Sequence, residues 1–189
     1  RGYVGAYKIR VVCLSMFITM LLVSTVCASD VDIIPQNIDE ADPTSLAIAG
    51  SDLLTGFYVK QDVSKGLYYI VTATQSNMVV GAHMKINNAL KVFEQDPVRT
   101  RISAYDSLTL GWIYFNIKKY DLAANAIHKS IQLDPSNLDA YLSLVEIQEN
   151  YIYDYCGVVN TAYQACQNGL RGMCNAFRDI QIQYGGACE

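Results

Sequence analysis

The sequence predicts an all-α fold, and three observations carry that prediction. Apolar residues make up 51% of the 189, enough for a full core and too many for a disordered chain. From Thr44 onward they recur at helical spacing, most plainly at Ala140, Tyr141, Leu144, Ile147 and Tyr151. The Asp-Pro pairs Asp42-Pro43, Asp96-Pro97 and Asp134-Pro135 divide this text into segments. Proline cannot continue a helix and pushes the residue before it out of the helical region.

The first segment is not part of that fold. Residues 11–28 carry no charge, follow Lys8 and Arg10, and end in Val26-Cys27-Ala28. A basic start, an apolar run and small residues at its end predict a secretory signal peptide over 1–28, cleaved after Ala28. The alternative is an uncleaved N-terminal anchor, because such a run just reaches across a bilayer. Cleavage removes Arg1, Lys8 and Arg10, which lowers the 14 basic side chains to 11 against 18 acidic ones, a net charge of −7. No clustered basic side chains remain to displace counterions from nucleic acid, and no basic amphipathic helix to hold an anionic membrane surface. The mature chain is therefore expected to bind neither. Residues 29–43 form an acidic linker that carries Asp30, Asp32, Asp39, Glu40 and Asp42 and contains Pro35 and Pro43.

The helical part begins with a helix over 44–54 and a second over 63–74, joined by a loop. Gly56 gives the loop its freedom, Asp62 caps the second helix, and Tyr68 and Tyr69 pack back on the first. The run TGFYVKQDVSKGLYYIVTAT resembles a Sel1-like repeat, with Gly56, Val59, Asp62, Lys65, Tyr68-Tyr69 and Ala73 at the family's spacing. Gly66 stands where that family has alanine. The repeat is assigned to 44–84. Residues 77–95 read helical through Val80, Met84, Leu90 and Phe93, as one helix or as two broken near Asn87-Asn88; 85–103 is assigned as a connecting helix.

Residues 104–137 hold the sequence LGWIYFNIKKYDLAANAIHKSIQLDP. Leu110-Gly111 and Tyr114 supply a knob, a gap and a second knob on a first helix; Tyr120, Ala123 and Ile127 supply a second, and Pro135 ends the unit. This 34-residue pattern resembles a tetratricopeptide repeat, departing from it at Ser107, where a large residue is usual, and at Ser130, where alanine is. Such a repeat cannot bury its apolar faces alone. The two resemblances together imply an α-solenoid, a right-handed superhelix of helix pairs, completed by a terminal repeat and cap over 138–189.

Cys156, Cys166, Cys174 and Cys188 crowd into the last 34 residues. Four clustered cysteines on an exported chain read as two disulfides. The weaker alternative is a zinc site; there is no C-x-x-C knuckle, and His83 and His128 lie far away in sequence. The C-x7-C spacing in AYQACQNGLRGMC resembles the helical cysteine-rich members of the Sel1-like family, where it ties the end of one helix to the start of the next. That resemblance implies helices over 157–167 and 172–184, a turn at Gly169 and a Cys166–Cys174 bridge. Antiparallel pairing of the helices then places Cys156 near Cys188.

The resemblance to tetratricopeptide arrays implies a ligand face built from the first helix of each repeat. In 104–137 its positions are Tyr105, Leu108, Trp112, Phe115 and Asn116; in the next repeat they are Asp139, Leu142, Glu146, Glu149 and Asn150. An aromatic strip beside an acidic one suits an extended peptide with apolar and basic side chains. The competing reading has the aromatic strip packed on a neighbouring helix. Tyr151, Tyr153 and Tyr155 are likewise either walls of a groove or fastenings of the last repeat. The function expected is a periplasmic or secreted scaffold for a protein or peptide partner, without cofactor. Self-association and an envelope hydrolase are the rivals, the latter because some cysteine-rich Sel1-like proteins carry penicillin-binding or β-lactamase descriptions. A serine β-lactamase needs S-x-x-K, S-D-N and K-T-G, and none occurs; Ser51-Asp52-Leu53 comes nearest.

Overall fold

The computed structural model describes residues 42–188. The expected signal peptide and all of the linker before Asp42 lie outside them. Every regular element among the described residues is helical. They are α1 (Pro43–Thr55), α2 (Val63–Thr74), α3 (Val80–Phe93), α4 (Ala104–Asn116), α5 (Tyr120–Leu133), α6 (Leu138–Ile147), α7 (Tyr155–Gln167) and α8 (Arg171–Tyr184). Short 3-10 turns cover Pro97–Arg101 and Gly185–Cys188, and a π-helical turn, Gln148–Ile152, follows α6. None of these helices is long and apolar enough to cross a membrane. The chain divides at Asp96/Pro97 into two compact units.

In the first unit α1 packs on both α2 and α3. Its start is set by Asp42, whose Oδ1 accepts from the Thr44 and Ser45 N–H groups at 3.0 Å each, with Pro43 occupying a position where no N–H is needed. Its end is set by Gly56, which at φ 71° donates its N–H to the Asp52 carbonyl. Asp62 caps α2 by accepting from Lys65 N–H. The core comprises Leu46, Leu53, Leu54, Leu67, Ile70, Ile86, Leu90 and Phe93. α3 runs unbroken through Asn87 and Asn88, so the boundary expected between 84 and 85 falls inside a helix, and the expected connecting segment 85–103 holds the second half of α3 and the 3-10 turn Pro97–Arg101.

The Asp42 cap gives a direct test. Asp42→Ala is expected to cost the first unit about 1 kcal/mol in urea unfolding at neutral pH, and Asp42→Asn much less, because asparagine caps equally well. The Ser45 hydroxyl, opposed by partial burial and helped by the Ser45 and Thr44 N–H groups, holds the Asp42 carboxyl below its usual 3.8. A lowered folded pKa means this stabilisation is complete above the unfolded pKa and is lost as pH falls through the folded one. Asp42→Asn should remove that acid-side loss.

In the second unit, each helix from α4 to α8 packs on the next in sequence. Leu110, Ile113, Tyr114, Ile127, Ile131, Tyr141, Leu144 and Val158 are buried between them. The two departures from the repeat pattern find their role here. Buried Ser107 on α4 donates to the Ala126 carbonyl of α5 at 2.9 Å, and buried Ser130 on α5 donates to the Ala104 carbonyl of α4 at 2.7 Å. Small hydroxyls let the backbones approach and satisfy the hydrogen bonds that close approach demands. At the end of the unit the cysteines stand in pairs at disulfide distance: Cys166 with Cys174, Cα atoms 4.5 Å apart, and Cys156 with Cys188, 5.0 Å apart. Both separations lie in the range of protein disulfides, which persist in oxidising compartments. The turn between α7 and α8 passes through Gly169 at φ 85°.

Candidate functional site

Residues 106–111 and 113–114 of α4 are buried, so the helix is enclosed through its middle and surfaces only near its ends. Tyr105 at its start is 67% exposed, whereas Leu108 is only 9% exposed and belongs to the core. A ligand contact is expected of Leu108 from the resemblance to a tetratricopeptide repeat, but its neighbours enclose it. Trp112, Phe115 and Asn116 are half-buried.

Trp112 and Phe115 open onto an aromatic cluster. Their rings meet edge-on at 5.7 Å, and Phe115 in turn meets Tyr120 of α5 at 5.7 Å and Tyr151 of the π-helical turn edge-on at 4.9 Å. Tyr120 and Tyr151 stand 4.6 Å apart. These separations and edge-to-face angles are those at which aromatic pairs attract beyond their buried area. Two backbone devices assemble the cluster. Lys118 takes a left-handed φ of 62° and Lys119 N–H bonds the Tyr114 carbonyl, turning the chain so that Tyr120 meets Phe115. After α6 the helix widens into its π-helical turn, which ends at Tyr153, φ 61°, with Asp154 N–H on the Gln148 carbonyl. The Gln148 side chain anchors that turn by accepting from the Thr161 hydroxyl of α7 at 2.9 Å.

On α6, Asp139, Leu142 and Glu146 follow at intervals of three and four and are all exposed, Leu142 by 48%. Asn150 is exposed and donates to the Glu146 carbonyl. Glu149 is committed elsewhere: its Oε1 accepts from the Tyr184 hydroxyl of α8 at 2.6 Å. That bond, with burial and the Glu149 charge adding to it, holds the Tyr184 phenol above its ordinary 10. The tie is therefore complete below the unfolded pKa and is lost as pH rises through the folded one. Tyr184 also stacks on Tyr155, centroids 4.8 Å apart.

The ten residues of the expected ligand face thus divide. Tyr105, the rim of Trp112, Asp139, Leu142, Glu146 and Asn150 face solvent. Leu108, Phe115 and Glu149 are engaged in packing or hydrogen bonding within the unit, and Asn116 is half-buried. Of the three tyrosines in YIYDY, Tyr155 fastens α8, Tyr151 joins the aromatic cluster, and Tyr153 is exposed. Sequence reasoning gave no role to Gln148 or Tyr184. Nothing local marks either, since their partners lie 13 and 35 residues away.

Among the described residues, no three His, Cys, Asp or Glu side chains are placed to share a metal ion. Set beside protein-family models and curated proteins, the chain matches none.

Proposed function

We propose that the chain is an exported repeat scaffold, an α-solenoid of Sel1-like and tetratricopeptide-like helix pairs, that binds an extended segment of a partner protein. The segment lies along the exposed side chains of α4 and α6 and carries alternating apolar and basic side chains. One observation carries the reading: Trp112, at the edge of a ring cluster that pins the end of α4 to the turn after α6, shares its unit with the exposed Asp139, Leu142 and Glu146. A ring held by other rings loses little entropy on binding, which is why aromatic anchors dominate interfaces. Carboxylates exposed at helical spacing favour a cationic partner and disfavour an acidic one. Packing of each helix of the second unit on the next supports the repeat architecture. The hydroxyl of Ser51, in the nearest match to S-D-N, is buried and donates to the Ala47 carbonyl of its own helix at 2.7 Å.

Trp112 is the only tryptophan, so its emission reports binding directly. Titration with the peptide Lys-Leu-Lys-Phe-Lys-Leu-Lys is expected to change that emission saturably. Glu146→Lys, on an exposed position, should weaken binding about ten-fold, a loss of about 1.4 kcal/mol, with helical content unchanged. A saturable response that Glu146→Lys leaves untouched, or an acidic peptide binding as well, would reject the site. Mass in solution that rises with protein concentration and falls with Glu146→Lys would identify a second copy of the chain as the occupant.

A further inference from the structure

The first unit holds a charged pair that its core does not need. Asp52, in the last turn of α1, is 3% exposed, and its Oδ1 lies 2.9 Å from Lys85 Nζ of α3. Burying a carboxylate costs several kcal/mol, and a pair that offsets this seldom stabilises a fold more than apolar side chains of the same volume would. The pair sits in the wall of a cleft of about 180 Å³. Liquid water would place roughly six molecules in that volume, so it has room for a group the size of one amino-acid residue. Phe57 and Tyr58, from the loop after α1, line the cleft together with Val92 of α3, and all three are exposed, Phe57 by 70%. Aromatic rings held in water beside a buried carboxylate are costly twice over, and a ligand that covers the rings and engages the half-exposed Lys85 relieves both costs.

The hydrogen-bonding groups of the cleft select the ligand. Ser51 and Thr55 have committed their hydroxyl protons to the carbonyls of Ala47 and Ser51, in their own helix. Lys85 is 35% exposed at its side chain; its ammonium has three donors, of which Asp52 takes one and the Tyr58 ring, 5.8 Å from Nζ, faces another. Asn88, exposed on α3 and also lining the cleft, adds an amide donor. The cleft thus presents donors from Lys85 and Asn88 over apolar walls, while Asp52 behind Nζ disfavours more than one negative charge. We infer that it binds a monocarboxylate with an apolar body: the carboxylate on Lys85 and Asn88, the body against Phe57, Tyr58 and Val92. A free small carboxylic acid and the C-terminal residue of a peptide share this chemistry.

The test follows amide shifts of the isotope-labelled chain by NMR with four probes: 3-phenylpropionate, its amide, and the peptide Gly-Gly-Gly-Phe as free acid and as C-terminal amide. The acids are expected to shift residues of the 56–59 loop and of α3 around Lys85 saturably, and the amides to bind at least about ten-fold more weakly, as loss of one charge-assisted contact predicts. Response to both acids marks a general carboxylate site, and response to the peptide acid alone marks a chain terminus as the occupant. Lys85→Met alone leaves Asp52 buried and unpaired, so the decisive variant is Asp52→Leu with Lys85→Met. It replaces the pair by apolar groups, which a helical core tolerates, and should abolish acid binding while keeping helical content. Amides binding as tightly as acids, no response to either acid, or a double variant that still binds, would each overturn the assignment.

Discussion

Gly66→Ala is expected to destabilise the first unit by about 2–3 kcal/mol, although alanine is the better helix former by about 1 kcal/mol. A Cβ on Gly66 would stand 2.8 Å from the Leu54 nitrogen, 3.0 Å from the Gly50 carbonyl oxygen and 3.1 Å from the Leu54 Cα. All three are backbone atoms of α1, so no rotamer change relieves the clash and the two helices must separate. The contact is reciprocal, since a Cβ on Gly50 would meet the Gly66 carbonyl oxygen at 2.9 Å. Separation loosens the packing around Leu53, Leu54, Leu67 and Ile70, all 2% exposed or less. Gly81 is the control: it lies near the start of α3 with nothing within 4 Å of its Cβ position, and Gly81→Ala should be neutral or stabilise by a few tenths of a kcal/mol. Hydrogen exchange of α1 and α2 peptides across a urea series reads both variants. Equal or greater protection in Gly66→Ala would refute the helix crossing.

Gly66 also shows where sequence reading stops. Its departure from the alanine usual in Sel1-like repeats is visible in the text, as are those of Ser107 and Ser130 from the tetratricopeptide pattern. Their reasons are not, because helical periodicity tells which face is buried but not how closely two axes approach. The starts and ends of helices were legible for the opposite cause: Asp42, Asp62, Gly56 and Gly169 act through bonds and dihedrals within a few residues of themselves. The cysteine pairing was legible because the resemblance of the C-x7-C spacing to cysteine-rich Sel1-like proteins implies the Cys166–Cys174 bridge, and antiparallel α7 and α8 then bring Cys156 to Cys188. The candidate face was half legible. The resemblance to tetratricopeptide arrays put Asp139, Leu142 and Glu146 on one exposed side of α6, but the enclosure of Leu108 depends on its surroundings and the capture of Phe115 by Tyr151 on a π-helical turn. No periodic pattern predicts that turn. The Asp52–Lys85 pair joins residues on different helices and leaves no trace in either.

Reduction of the two disulfides is expected to melt α8 while α4 and α5 keep their protection. Among the fourteen residues of α8 only Met173 is buried, and full burial of one methionine returns about 1.5–3 kcal/mol. Ordering a backbone costs about 1–2 kcal/mol per residue, so side-chain burial alone cannot hold this helix. The stacking of Tyr184 on Tyr155, its bond to Glu149 and the contact of Phe177 with Tyr163 at 5.2 Å help, but they involve few side chains. The crosslinks add to this by restricting the unfolded chain. With partners 32 and 8 residues apart, loop entropy assigns about 3.7 kcal/mol to Cys156–Cys188 and about 2.5 kcal/mol to Cys166–Cys174. Cys156→Ser with Cys188→Ser should therefore be the more damaging pair of substitutions. Dithiothreitol should raise hydrogen exchange throughout α8, with Trp112 emission, which reports α4, left nearly unchanged. Because Tyr184 then releases Glu149, reduction should also free a carboxylate next to the proposed peptide face and tighten its hold on a basic peptide. Free thiols in the native protein by alkylation and intact mass would remove the premise. Unchanged exchange of α8 after complete reduction would show instead that its few packing contacts suffice.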